Sequence, residues 1–323
     1  MLTNKFNLNL AMQAWLINDE YDYVKDPNYI SATSILKPVK QIILEKRLSA
    51  DLDGDISNLI ASKYGTSIHN GIEEAWTNEK LADNLLKLGL NQATVNRIKV
   101  NPTEPKEEDI NVFLEQRSTK KIGKWTIGGK FDLVFDGQLM DNKSTSTWSY
   151  IYGSRVKDYT EQCSIYRWLN PNLITEPKFV INYIFTDWSQ AKALQQSDYP
   201  QCRIVSKEYD LLPLAEVEHM LKTKLALVEK YMDADEKDIP DCSDEELWRS
   251  PTKFKYYKDP LKLTRATKVF DSEETATSYW KLDMKGQGIV IPTLGSIKRC
   301  SYCKCFNQCT QKDRYLEDGS LQC

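Results

Sequence analysis

Asp132, Asp141 and Lys143 flank a chain reversal that the sequence spells out. The run Trp125-Thr-Ile-Gly-Gly-Lys-Phe-Asp132-Leu-Val-Phe135 is followed by Asp136-Gly137 and then by Gln138-Leu-Met-Asp141-Asn-Lys143. Asp-Gly between two strand-like runs is a strong signal for a two-residue type I′ hairpin turn. That turn predicts pairing of Phe135 with Gln138, Leu133 with Met140 and Asp132 with Asp141. Directly opposed residues have Cβ atoms roughly 4.5–5.5 Å apart, where two carboxylates repel unless a cation or a shared proton stands between them. A divalent metal resolves the conflict. Strand alternation puts the Lys143 ammonium on the face of both acids. Two hard oxygen donors beside one cation form a set suited to Mg²⁺ or Mn²⁺ and to chemistry on a phosphate ester.

The elements that must hold these residues follow from pattern. Residues 55–100 carry helical periodicity through Ile68, Ile72, Ala75 and Trp76, with His69 on the predicted helix. Ile110–Arg117 reads as a strand before the hairpin. A helix over 156–169 places Gln162 and Tyr166, four apart, on one face, and 178–188 and 202–211 read as further strands. Val39–Leu48 reads as a short helix after Pro38, and 214–233 as a strongly amphipathic one. The acidic stretch from Asp233 to Asp238 reads as a linker. Together these describe a small mixed sheet flanked by helices, with both acids at its centre. We divide the chain into an N-terminal extension (1–54), a core (55–212) and a C-terminal helical and cysteine-bearing region (213–323).

Composition sets the limits. The 323 residues are 41% hydrophobic and 28% charged, with a formal net charge of −3. These values suit a globular chain and exclude one that coats a polyanion by bulk charge. There is no apolar run of 18 residues and no secretory signal at the start, so the expectation is a cytoplasmic protein without a membrane partner. Eight cysteines there read as thiols or metal ligands rather than disulfides. Five fall between Cys300 and Cys323. Lys253-Phe-Lys-Tyr-Tyr-Lys258 with Lys262, Arg265 and Lys268 is a basic, aromatic segment opposed only by Asp259. Lys253, Lys255 and Tyr256 are its candidates for contact with a phosphate backbone and for stacking on bases. Lys120, Lys121, Lys124 and Lys130 bracket the hairpin, and Arg155 and Lys157 precede the Gln162 helix. Of these, Lys130, Arg155 and Lys157 are further candidates for nucleic-acid contact. Glu115 reads as a solvated strand residue, with ligation of a second metal as the alternative, and His219 as structural.

His69, Gly129 to Asp132, Asp141-Asn142-Lys143 and Gln162 to Tyr166 occur in a fixed order. In this the chain resembles the PD-(D/E)XK nuclease superfamily, in its RecB-like branch with an added histidine and a QxxxY helix. The resemblance covers residues 60–190 and implies a restriction-endonuclease-like α/β core. It implies that His69, Asp132, Asp141 and the Asn142 carbonyl ligate Mg²⁺ or Mn²⁺. Lys143 would then orient or help deprotonate the attacking water, and Gln162 and Tyr166 would support the site and the DNA backbone. Asn142 departs from the usually apolar middle position. Arg299-Cys300-Ser-Tyr-Cys303-Lys-Cys305-Phe-Asn-Gln-Cys309 contains C-x2-C-x5-C, which in some RecB-like relatives joins an upstream cysteine to bind a [4Fe-4S] cluster. Residues 35–47 hold no such cysteine. Cys242 stands in instead, as in phage-encoded members, giving Cys242, Cys300, Cys303 and Cys309, with Cys305 or Cys323 as substitutes. Four thiolates suit an iron–sulfur cluster or tetrahedral zinc, and the spacing leans to the cluster. The resemblance implies a metal-dependent deoxyribonuclease, in the first instance an exonuclease of recombination, repair or phage DNA processing. DNA would be its partner, with a helicase or recombination protein as an associate, in the bacterial host cytoplasm if the chain is phage-encoded. A structure-specific or defence endonuclease, and a noncatalytic DNA-binding subunit, are the alternatives.

Overall fold

The computed structural model describes residues 2–19, 22–48 and 54–322. The chain gathers into two compact units, one of residues 1–36 and 50–225, the other of residues 37–49 and 226–323. Among the described residues no helix is long and apolar enough to cross a membrane.

The first unit is mixed α/β, built on a six-stranded sheet. Its strands lie in the order Ile204–Asp210, Lys178–Phe185, Gln138–Thr145, Leu133–Phe135, Ile110–Leu114 and Ile98–Val100. Lys178–Phe185 runs parallel to Gln138–Thr145, and the helix Val156–Leu169 makes the crossover that a parallel pair requires. Phe179, Ile181, Tyr183 and Phe185 alternate inward along the strand and are buried. The helix buries Tyr159, Cys163 and Tyr166. On the other flank Val112, Leu114 and Leu133 form a core closed by Trp76, Phe135 and Met140.

The hairpin forms in the expected register at Leu133 opposite Met140 and Phe135 opposite Gln138, while the expected Asp132–Asp141 pair falls outside the ladder, which ends at Leu133 where the chain bends. Asp136 and Gly137 both take positive φ, 48° and 85°, as a type I′ turn demands. Two expected strands are each broken at the same place. Ile110–Arg117 is interrupted at Glu115, whose φ is 50°, and Trp125–Phe135 bends at Phe131 and Asp132. Beyond the bend Trp125–Lys130 leaves the main sheet and joins Tyr29–Ser31 and Arg117–Ile122 in a three-stranded one. Glu115 N–H to Asp132 O (3.1 Å) and Phe131 N–H to Gln116 O (3.4 Å) keep the chains paired through this corner. Fully buried Phe131 fills it. The helical stretch expected over 55–100 comprises Ile60–Thr77, Leu81–Lys87 and Gln92–Arg97, then ends as the edge strand Ile98–Val100.

In the second unit Lys253–Tyr257 is the central strand between Lys268–Phe270 and Ile289–Thr293. The helix Glu273–Leu282 covers this sheet, with Tyr279 meeting Tyr256 edge-on at 5.4 Å between centroids. A separate core gathers Leu247, Ile297, Cys300 and Leu321, packed by Cys242, Phe306 and Tyr315. The helix Val39–Arg47 belongs to this unit and buries the Lys40 side chain to 2% exposure between Glu236 (2.8 Å) and Asp241 (3.1 Å). Burial opposes the charged form of both acids. Hydrogen bonds from Lys40 and Thr310 to Glu236, and from Arg314 and Lys40 to Asp241, outweigh it and hold both carboxyls below their ordinary range. A depressed carboxyl adds stability above its unfolded pKa, about 4, and loses it as pH falls through the folded value. Urea midpoints measured at pH 5 and pH 3 are therefore expected to drop with acidification. The drop should shrink in Lys40→Met by about 1 kcal/mol, given the partly exposed acids.

Candidate functional site

The six-stranded sheet and two helices bring His69, Asp132, Asp141, Asn142, Lys143, Gln162 and Tyr166 into one polar pocket of contacts. Asp132 sits on the bend, one residue beyond the last ladder pair. Where a backbone bond would otherwise follow, its Oδ2 accepts the Asn142 N–H at 2.7 Å. Its Oδ1 lies 3.3 Å from His69 Nδ1, while His69 Nε2 lies 3.0 Å from the Asn142 carbonyl oxygen. The helix Ile60–Thr77 thus delivers a ring whose two nitrogens each face an acceptor. Only the doubly protonated ring can donate to both, and the Asp132 hydrogen bond raises the His69 pKa against the opposing effect of burial.

Asp141 is 1% exposed and neither carboxylate oxygen accepts a well-formed hydrogen bond, although Lys143 Nζ stands 2.6 Å from Oδ2. Burial, reinforced by the Asp132 charge, pushes the Asp141 carboxyl up to about 6. Burial alone would lower the Lys143 pKa, but Asp141 and Asp132 raise it further, so the side chain stays an ammonium. Lys143 Nζ also donates to Gln162 Oε1 at 3.3 Å, and Gln162 Nε2 donates to the Tyr166 hydroxyl at 2.7 Å. Gly129 admits the Tyr166 ring: a Cβ there would stand 2.8 Å from it, closer than packed carbons approach.

Two residues take positions that pattern left open: Glu115, read as a solvated strand residue or a second-metal ligand, and the Asn142 side chain. Glu115 is in the cluster: one ligand atom each of His69, Glu115 and Asp132 lies within 4.8 Å of the others, the one such trio among the described residues. Burial raises the Glu115 carboxyl, which pairs with Lys130 at 2.5 Å. Its left-handed backbone, strained for a side chain of this size, turns it inward. No pattern in the sequence marks that turn. The Asn142 side chain points away from the acids. Asn182 Nδ2 donates to Asn142 Oδ1 (3.0 Å), and Ser206 Oγ donates to Asn182 Oδ1 (2.7 Å), a polar row across three strands that accounts for asparagine where an apolar residue was expected.

A buried carboxylate paired with Lys143 but accepting no well-formed hydrogen bond, with a second carboxylate, an imidazole and a backbone carbonyl nearby, is a set of donor types that suits a hard divalent cation. The ligand atoms that converge are those of His69, Glu115 and Asp132; Asp141 stands outside that trio, beside Lys143, and the Asn142 carbonyl oxygen meets His69.

The other expected contact residues lie as follows. Arg155 pairs with Asp158 at 3.5 Å and Lys157 is exposed. Lys253 pairs with Asp271 on the surface, and Lys255 is half-buried. Tyr256 is fully buried, so its ring is not offered to a base; strand alternation turns it inward, away from the lysines. Cys242, Cys300, Cys303, Cys305 and Cys309 line a single cavity with Lys40, Gln41 and Leu44 of the helix Val39–Arg47. None of the seven described cysteines forms a disulfide. Cys323 lies outside the described residues.

No family model matches this chain, and no curated protein matches it. Among solved structures, that of SSO0001 superposes with a TM-score of 0.42 at 16% identity, over 67% of this chain and 84% of its own. A phage-related exonuclease from Haemophilus somnus 129PT gives a TM-score of 0.25 at 18% identity, over 36% of this chain and 58% of its own. Likenesses this distant leave the reading of the site to its own geometry.

Proposed function

We propose that the first unit is a PD-(D/E)XK-type nuclease core of the RecB-like branch, and that the protein hydrolyses phosphodiester bonds in DNA with a divalent metal. The observation that carries this is Asp141: a fully buried carboxylate left without a well-formed hydrogen bond, next to Asp132, the Asn142 carbonyl, His69 and Lys143. Lys143 and the protonated His69 balance the two carboxylates in the metal-free site, and a divalent ion would take the place of the His69 proton. A Mg²⁺ or Mn²⁺ ion bound there would lower the pKa of a water and offset the charge that builds on the phosphate. Lys143, held as an ammonium, orients the attacking water and stabilises the developing negative charge; it is not the base. Gln162, fixed by Tyr166, holds the lysine in line. Glu115 extends the donor set toward Lys130.

Digestion from an end is the favoured form, as the QxxxY pattern implies. The test is an assay of labelled linear and circular DNA with Mg²⁺, with Mn²⁺ and with chelator. Metal-dependent loss of linear DNA with circular single strands intact is the expected result. Cleavage of circles would make it an endonuclease, and binding without any cleavage would make it a noncatalytic subunit.

The cysteines of the second unit supply a structural site for a soft metal centre. Around one zinc at a Zn–S distance of about 2.3 Å, tetrahedral thiolates lie roughly 3.8 Å apart. Among the described residues no three sulfurs come within 4.8 Å of one another, although five cysteines share one cavity. The C-x2-C-x5-C spacing is the reason for preferring a cluster to zinc.

A further inference from the structure

The short helix Thr147–Ile151 follows directly on the strand that carries Asp141 and Lys143, and it displays large rings to solvent. Trp148 is 56% exposed and Tyr152, the residue that ends the helix, is 68% exposed. Their rings lie 5.0 Å apart between centroids, tilted by 40°. The placement is fixed. Ser146 caps the helix at Ser149 N–H, the Asp187 carboxylate accepts the Thr147 N–H at 2.7 Å, and Gly153, at φ 59°, turns the chain out of it. Tyr150 anchors the underside by edge contacts to Tyr183 and Phe185.

Charge and continuity say what covers the exposed pair. Residues 144–157 contain no acid, and Arg155 and Lys157 close the segment. Asp158 meets Arg155 at 3.5 Å, with both half exposed. Lys207 stands 5.7 Å from the Tyr150 ring in the same helix. Lys143 Nζ and the Arg155 guanidinium lie 5.4 and 5.9 Å from the centroid of one ring, Tyr159. Arg155, three residues after Tyr152, is therefore one aromatic ring away from the proposed catalytic lysine.

We infer that Trp148 and Tyr152 form a stacking shelf for unpaired bases of a nucleic-acid strand whose backbone passes Arg155 on its way to the Asp132–Asp141 site, so that the substrate is single-stranded or frayed at the end that is cut. This rests on the nuclease reading and names the substrate class for it. Rings paired in this way take any base, because every base has a π-face, and a duplex end offers them nothing until it opens. Arg155 supplies the phosphate contact and the Tyr159 ring keeps its position.

The test is anisotropy of labelled oligo(dT) in EDTA, where no cleavage can intervene, with the Trp148→Ala/Tyr152→Ala protein. Binding of oligo(dT) is expected to weaken about tenfold or more. A blunt hairpin duplex, and an abasic strand with the same phosphates, should each bind both proteins within about twofold. Trp148→Phe should keep most of the affinity. No loss, an equal loss on all three ligands, no binding of oligo(dT) by the wild type, or an altered oligomeric state with unchanged binding would each overturn the shelf; the last would assign the rings to a contact between copies. Ring-dependent binding without cleavage of any nucleic acid in Mn²⁺ would refute the nuclease reading and keep the shelf. Cleavage indifferent to the rings would do the reverse.

Discussion

Asp141→Asn is expected to lower the rate of metal-dependent DNA cleavage by about 10³-fold or more and, because it leaves the Lys143 ammonium without its 2.6 Å partner, to lower the stability of the metal-free protein. The two effects have one cause. The carboxylate, 1% exposed, both pairs with Lys143 and supplies an oxygen donor for the metal. The amide removes the ion pair together with the donor that the reaction needs. Lys143→Ala should abolish cleavage to the same extent and cost at least as much in a melting experiment in EDTA. It leaves Asp141 and Asp132 without the ammonium 2.6 Å from Asp141 Oδ2, and breaking a buried pair costs about 3–5 kcal/mol. In the double substitution Asp141→Asn/Lys143→Met most of that stability should return while activity stays lost. A surface ion pair without catalytic purpose predicts the reverse on every count: little change in melting and retained cleavage. Full activity of either single variant would remove the foundation of the nuclease assignment.

How far the site was legible depends on which physical rule governed each residue. The hairpin register followed from local chemistry alone, since Asp136 and Gly137 tolerate the positive φ that a two-residue turn imposes. From that register the shared face of Asp141 and Lys143 followed by alternation, and the 2.6 Å contact agrees. The approach of His69 to Asn142 spans 73 positions, and only the ordered set of motifs pointed to it. Glu115 was misplaced because its inward turn depends on a left-handed backbone that no neighbour announces. The departure of Trp125–Lys130 into a second sheet was equally silent, because a strand has the same period whichever sheet it joins. Tyr256 erred the other way. Composition suggested a basic, aromatic patch, whereas the period of two along Lys253–Tyr257 already separated Lys253 and Lys255 from Tyr256. Trp148 and Tyr152 lie at helical spacing, and sequence cannot tell an exposed aromatic pair from a core one; only their accessibility in the fold separates the two.

Replacing Cys300, Cys303 or Cys309 by serine is expected to remove iron and sulfide from anaerobically purified protein and to cost several kcal/mol of stability in the C-terminal unit, because a metal centre's binding energy is folding energy for a region that it ties together. That region has little else in reserve: its cysteine-bearing end contains short 3₁₀ turns at Arg299–Tyr302 and Phe306–Gln308, and its buried core is four residues, one of them Cys300. Cys242 belongs with the three by position, packed on the same core and lining the same cavity. The five cysteines there exceed the four places of a cluster, and Cys305 is the one set against the Gln41 carbonyl. Its thiol lies 3.8 Å from the Gln41 carbonyl, and its hydrogen bond to Cys303 draws the Cys303 thiol down to about 7, toward the thiolate that a metal requires. Cys305→Ser should therefore keep the metal and lose only a little stability, and Cys202→Ser, at an exposed position in the other unit, should change nothing. Metal analysis alongside chemical denaturation decides it. Colourless protein with one zinc per chain would replace the cluster by a zinc site on the same thiols, and metal-free wild-type protein that melts as its serine variants do would leave the five cysteines as a reduced core.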